Sequence, residues 1–214
     1  MSEIAIWLIF LVPLLSFSTI VFVLRPFFHD YDFLAAPLTI GSVGISFFLS
    51  ILVLYDSLRN GFTDHDFGGF SWIQISNLDV NFNLILDPLS IVMLIVVSSV
   101  SLLVQIYSVG YMKDHNGNRD PGYARYFAYM SFFTASMLGL VLSKNIIQIF
   151  VFWELVGVSS YLLIGFWFEK PSAAAAAKKA FIVTRIGDFG FLLGLLYLFL
   201  NSGVFIENGL EKCP

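Results

Sequence analysis

Charged residues in this chain are separated by long runs that contain none. Ile4–Leu24 precedes Arg25, Phe33–Tyr55 precedes Asp56, and Pro88–Met112 precedes Lys113. Tyr126–Ser143 is a fourth such run. Asn145–Phe168 is interrupted only by Glu154, and Ala180–Ile206 only by Arg185 and Asp188. Crossing about 30 Å of hydrocarbon takes roughly 20 residues of helix but only about 10 of barrel strand. The runs have helical length, and in lipid a helix satisfies its own backbone hydrogen bonds. The pattern therefore predicts an all-α membrane protein of six transmembrane helices, at approximately 4–24, 33–55, 88–112, 124–143, 145–167 and 179–201.

The longest loop, 56–87, has a different rhythm. Trp72-Ile73-Gln74-Ile75 and Val80-Asn81-Phe82-Asn83-Leu84 alternate apolar and polar residues around Ser76-Asn77-Leu78-Asp79, which suits a turn. This predicts a short β-hairpin lying on the membrane surface. Asp87-Pro88 then opens the third helix, with Asp as its cap and Pro at its first position.

Composition agrees with lipid as the solvent. Of 214 residues 58% are hydrophobic and 12% charged, with a mean hydropathy of +0.85. A soluble domain carries roughly 25% charged residues, so this chain lacks the polar surface to cover a water-soluble fold. The start, Met1–Glu3, has no basic segment of the signal-peptide kind, so the first run is read as a retained helix. Alternate loops divide the basic residues. Arg25, Lys113, Arg119, Arg125, Lys170, Lys178 and Lys179 fall in one set, and Arg59, Lys144 and Lys212 in the other. The richer set is expected to be cytoplasmic, which puts the N-terminus, the hairpin and the C-terminus outside. The run Ala173–Ala177 reads as a helical lead into the sixth span.

Three ionisable residues sit where lipid disfavours them. A charge at the bilayer centre costs about 2.5–3.5 kcal/mol on insertion scales, and such residues mark ion pathways or fixed pairs. Glu154 lies near the middle of its span, with Gly157, Tyr161 and Gly165 on the same helical face. The glycines admit a neighbouring helix, and the tyrosine supplies a hydroxyl. Arg185 and Asp188 are neighbours on one face of the sixth span, with Lys178 nearly in line. Ala176, Ala180, Gly187, Gly190 and Gly194 form a small-residue strip opposite. Glu154 reads either as a proton-carrying carboxyl or as an idle buried acid. Arg185–Asp188 reads either as part of the same route or as a pair offsetting its own burial. Lys178 and Lys179 also read as anchors that snorkel to the interface.

Other chemistry finds no residues to carry it. The histidines at 29, 65 and 115 fall in loops without metal-ligand spacing, and no span holds a haem ligand. The single cysteine, Cys213, permits neither an internal disulfide nor a cysteine-ligated iron–sulfur cluster. There is no phosphate-binding loop, no nucleophile–base arrangement and no nucleic-acid patch. No cofactor and no metal is expected in this chain.

One family shares these residues. Phe152-Trp153-Glu154-Leu155-Val156-Gly157, continuing Ser159-Ser160-Tyr161-Leu162-Leu163-Ile164-Gly165-Phe166-Trp167, resembles the fifth helix of the antiporter-like subunit 5 of complex I, including its NAD(P)H-quinone oxidoreductase form. Lys179-Ala180-Phe181-Ile182-Val183-Thr184-Arg185-Ile186-Gly187-Asp188-Phe189-Gly190 resembles its sixth helix, and Asp87-Pro88-Leu89-Ser90 and Tyr107-Ser108-Val109-Gly110-Tyr111-Met112 the ends of its third. The resemblance covers nearly the whole chain and is dense from Asp87 to Leu200. It implies that Glu154 is a proton-pathway residue and that Lys179, Arg185 and Asp188 are charged neighbours coupled to it.

The same resemblance implies a domain plan. One membrane domain, 1–214, would divide into three accessory helices with the hairpin, 1–112, and the start of an antiporter-like repeat, 113–214. It further implies a proton-translocating subunit of an energy-transducing membrane (bacterial plasma membrane, with thylakoid or inner mitochondrial membrane as alternatives). This subunit would hold no redox centre and would contact lipid and other membrane-arm subunits, above all the adjacent antiporter-like one. Family members are much longer, and this chain stops before the helix whose lysine pairs with the glutamate, so a fragment or truncated product is expected. The alternatives are a subunit of a multi-subunit cation/proton antiporter and a structural membrane fragment without transport.

Overall fold

The computed structural model describes residues 3–27, 29–61, 65–75, 78–113 and 119–202. Helix α1 (Glu3–Thr19) continues through a π-turn, Ile20–Leu24, and a last turn, Arg25–Phe27. After a 3-10 segment, His29–Leu34, come α2 (Ala35–Asn60), β1 (His65–Ile75), β2 (Leu78–Leu86), α3 (Pro88–Tyr111), α4 (Tyr123–Leu142), α5 (Ile146–Ile164) and α6 (Pro171–Ser202). Among the described residues six helices are long and apolar enough to cross a membrane, which matches the six expected spans. The sixth begins at Pro171, earlier than expected, because the alanine run joins it. Of the loop residues weighed in the sequence, His115, Lys212 and Cys213 lie outside the described residues.

Helix α4 is the hub and packs against α1, α2, α3 and α5. Half of its apolar window is buried, against 11% for α6, and it is the least hydropathic of the spans. A helix surrounded by helices needs few lipid-facing side chains. Its buried positions accordingly include Ser131, Thr134, Ala135, Ser136 and Gly139. At Gly139 the Phe152 ring of α5 lies where a Cβ would stand, so the missing side chain sets how closely α4 and α5 approach.

Hydroxyls join the N-terminal helices. Pro13 lies inside α1 and has no N–H to donate to the Ile9 carbonyl one turn earlier. That carbonyl instead accepts from the Ser46 hydroxyl of α2 at 2.6 Å. The Pro13 carbonyl accepts from Ser16 and from Ser131 of α4, each at 2.8 Å. Ser16 also meets Ser131 at 2.6 Å and accepts from Ser42 at 3.0 Å. Every one of these groups would be costly to leave unpaired in hydrocarbon.

The hairpin is present and antiparallel, but it is longer than the alternation suggested. Leu78 and Asp79, expected in the turn, already pair within the ladder, opposite Ile75 and Gln74; Ser76 and Asn77 lie outside the described residues. Nor does the hairpin rest only on the surface. Leu84 and Leu86 are buried in a cluster with Ile6, Ile9, Leu138 and Phe152. Phe82 stacks on Trp7 with centroids 5.8 Å apart. The Asn83 carbonyl accepts from the Lys144 N–H at 3.4 Å. The hairpin base therefore closes one end of the bundle. At its exit Asp87 caps α3 by accepting from the Ser90 N–H at 2.6 Å.

Candidate functional site

The intramembrane charges meet between α5 and α6. Asn145 caps α5 by accepting from the Ile147 N–H at 3.0 Å, which fixes where the helix starts. Glu154 then falls at mid-span. On α6, Arg185 lies opposite, and its guanidinium is in direct ion contact with the Glu154 carboxylate. The same guanidinium nitrogen is 3.8 Å from the Asp188 carboxylate one turn on. Arg185 thus stands between acids from two helices.

Neighbouring groups hold this arrangement. The Arg185 guanidinium sits 4.7 Å from the centre of the Phe181 ring, and Phe181 packs on Tyr161 at 5.2 Å. Gly157 faces Arg185, so an added Cβ would come within 3.9 Å of its terminal nitrogen. The other carboxylate oxygen of Asp188 accepts from the Trp153 indole N–H at 2.9 Å. Asp188 is buried, while Glu154 and Arg185 remain partly accessible, with side chains 23% and 29% exposed. Beside the cluster, between α4, α5 and α6, is an apolar cavity of about 880 Å³. Asp188, Trp153, Gly157, Ser160 and Thr184 line it.

The sequence-predicted residues do not all converge. Glu154, Arg185 and Asp188 form one cluster. Lys179 is exposed and belongs to no ion pair among the described residues. Six residues before Arg185, it falls about 120° round the helix from it. Lys178, seven residues before, shares the Arg185 face and lines a separate cavity. Gly157 of α5 and Gly165 at the end of that helix meet α6 as expected, Gly165 against the buried Ala177. The small-residue strip differs from expectation. Gly187, Gly190 and Gly194 have no atom within 4 Å of an added Cβ, because α6 packs chiefly on α5 and leaves its far side open.

Sequence reasoning missed Trp153. Its role was available in principle. An indole N–H at mid-membrane depth needs an acceptor, and mid-span acceptors in this chain are few.

Ionisable residues held between membrane helices mark a functional site by default. The family described as NADH-Ubiquinone oxidoreductase (complex I), chain 5 N-terminus, matches residues 72–127. The family described as NADH:quinone oxidoreductase/Mrp antiporter, TM, matches residues 143–212. Chloroplastic NAD(P)H-quinone oxidoreductase subunit 5 of Zygnema circumcarinatum is 50% identical over 169 residues, 79% of this chain and 23% of that protein. The Anthoceros angustus protein of the same name is 46% identical over 208 residues, 96% of this chain and 28% of its own length. The organellar chromatophore counterpart of Paulinella chromatophora is 44% identical over 203 residues, 94% and 29%. A chain of the membrane-bound sulfane sulfur reductase, an archaeal respiratory membrane complex, shares the fold with a TM-score of 0.75 at 17% identity, over 94% of this chain and 38% of that one.

The chain belongs to the antiporter-like subunit 5 family of the NAD(P)H:quinone oxidoreductases. It spans less than a third of the length of the curated relatives described above.

Proposed function

We propose that this chain is part of a proton-translocating membrane subunit of a NAD(P)H:quinone oxidoreductase, with Glu154, Arg185 and Asp188 as its proton-handling group. One observation carries the reading: a single guanidinium bridges carboxylates from two adjacent spans. A proton arriving at Glu154 cancels the charge that holds Arg185 there and leaves the guanidinium to Asp188 alone. Loss of that proton restores the first pair. Proton occupancy is thereby converted into a shift of a cation along α6, and the partial exposure of Glu154 leaves it reachable. Lys179, on the same helix and exposed, stands at the basic-rich mouth of the route.

The redox chemistry, the cofactors and the quinone are assigned to other subunits of the complex, and the adjacent antiporter-like subunit is the expected neighbour. The membrane is an energy-transducing one. The plastid names of the relatives favour a photosynthetic membrane over the bacterial plasma membrane expected from the sequence. The basic-loop asymmetry supports an external N-terminus. The domain division of accessory helices, 1–112, before an antiporter-like repeat from 113 onward is part of the same proposal.

The test is Glu154→Gln in the subunit within its assembled complex, reconstituted in vesicles. Protons moved per quinone reduced should fall, while oxidoreduction in uncoupled vesicles persists. An unchanged proton stoichiometry overturns the reading. Because the second matching family also includes the Mrp antiporters, a cation/proton antiporter is the second reading. Co-purification with small antiporter subunits rather than quinone-reductase subunits would establish it.

A further inference from the structure

A second cavity, of about 320 Å³, lies between α4, α5 and α6 at the end of the bundle that carries the basic loops. Arg125, from the first turn of α4, and Lys178, from the early turns of α6, both line it, together with Tyr129, Tyr161, Phe166 and Phe168. Among the described residues no carboxylate lines it. The Arg125 guanidinium lies against two rings, 5.0 Å from Phe166 and 5.1 Å from Phe168. One terminal nitrogen donates to the Phe166 carbonyl at 3.3 Å. Its Nε is buried and has no hydrogen-bond partner. Lys178 has neither an ion pair nor a hydrogen bond among the described residues.

Two cations therefore share a small cavity with no counter-charge among the described residues, and they repel each other. The contrast lies deeper in the same interface, where Arg185 is matched by two acids. A guanidinium set against two aromatic rings, a lysine and two tyrosines lining one small cavity make a donor set for a tetrahedral oxyanion. Its depth is that of a span end, where lipid phosphates lie.

We propose that this cavity binds a phosphoryl anion, held by Arg125 and Lys178. An anionic phospholipid headgroup and free phosphate share that chemistry, and the test separates them. The complex containing the subunit is placed in phosphatidylcholine nanodiscs and titrated with phosphatidylglycerol. Retained phosphatidylglycerol is counted by native mass spectrometry, with and without inorganic phosphate as competitor.

Arg125→Gln/Lys178→Gln should weaken retention about 25-fold, the loss of two basic contacts to an anionic headgroup. Lys178→Gln alone, at an exposed position that folding does not depend on, should weaken it about 5-fold. Lys113→Gln, basic and on the same side but outside the cavity, should leave it unchanged. Retention that survives inorganic phosphate identifies the lipid, and displacement by phosphate identifies the free anion. Equal weakening by Lys113→Gln, or none in the double variant, overturns the site.

Discussion

Replacing Arg185 with Met tests the cluster most directly, because it leaves Glu154 and Asp188 with no cation between them. Removing one partner of a fully buried ion pair costs about 3–5 kcal/mol. An exposed pair is worth about 0–1 kcal/mol. Glu154 and Arg185 lie between those limits, at 23% and 29% side-chain exposure. The expected loss of stability for Arg185→Met is therefore about 2–3 kcal/mol. Most of that is the penalty of stranded carboxylates rather than the worth of the pair. Adding Glu154→Gln should return part of it, since a neutral amide needs no cation. The double variant should thus be more stable than Arg185→Met alone, with a coupling energy of about 1–2 kcal/mol. Reversible unfolding of the chain in mixed micelles, followed by tryptophan fluorescence, reads all four corners of the cycle. Additivity to within about 0.5 kcal/mol would show that the guanidinium and the carboxylate do not depend on each other, and the bridging arrangement would be wrong.

Three further outcomes follow from the packing, each read as a shift in unfolding free energy. Ser46→Ala strands the Ile9 carbonyl and should cost about 1–2 kcal/mol, whereas in a Pro13→Ala background, where the helix supplies its own N–H, the same change should cost far less. Gly139→Ala drives a methyl into the Phe152 ring and should destabilise by about 1–3 kcal/mol; retention of full stability would mean that α4 and α5 can separate freely. Asp87→Ala removes the α3 cap and should cost about 1 kcal/mol. Hydrogen bonding from the Ser90 side chain, aided by its backbone N–H and opposed by partial burial, holds the Asp87 carboxyl below its ordinary value. Its contribution is therefore complete above the ordinary carboxylate range and is lost as pH falls through the lowered value. The gap between wild type and Asp87→Ala should close in strong acid, and a gap that stays constant would refute the cap.

Reading the cluster from the chain alone had a definite limit. Glu154 and Arg185 are in different spans, and helical periodicity places residues on faces without saying which faces meet. Arg185 and Asp188 were legible as neighbours because three residues bring them onto one face. The same periodicity distinguishes Lys178, in line with Arg185, from Lys179, off that line, yet the family resemblance pointed to Lys179. Trp153 escaped notice because its partner comes from another helix. Arg125 was counted among loop charges, and only the fold of the α5–α6 turn over it turned a topological signal into one wall of a cavity.

The charge-free runs alone were enough to set the number and approximate positions of the spans. Hydrocarbon thickness and the need to pair every backbone group leave little choice once the charge-free runs are known. The sequence by itself also determined the existence of the hairpin, through its alternation, and the cap at Asp87. The tertiary structure decided everything that depends on distance between elements: that the hairpin base plugs the bundle, that Ser46 repairs the bond Pro13 breaks, and that one guanidinium answers two acids. Those are pairings between segments far apart in the chain, and pairings of that kind exist only once the helices have packed.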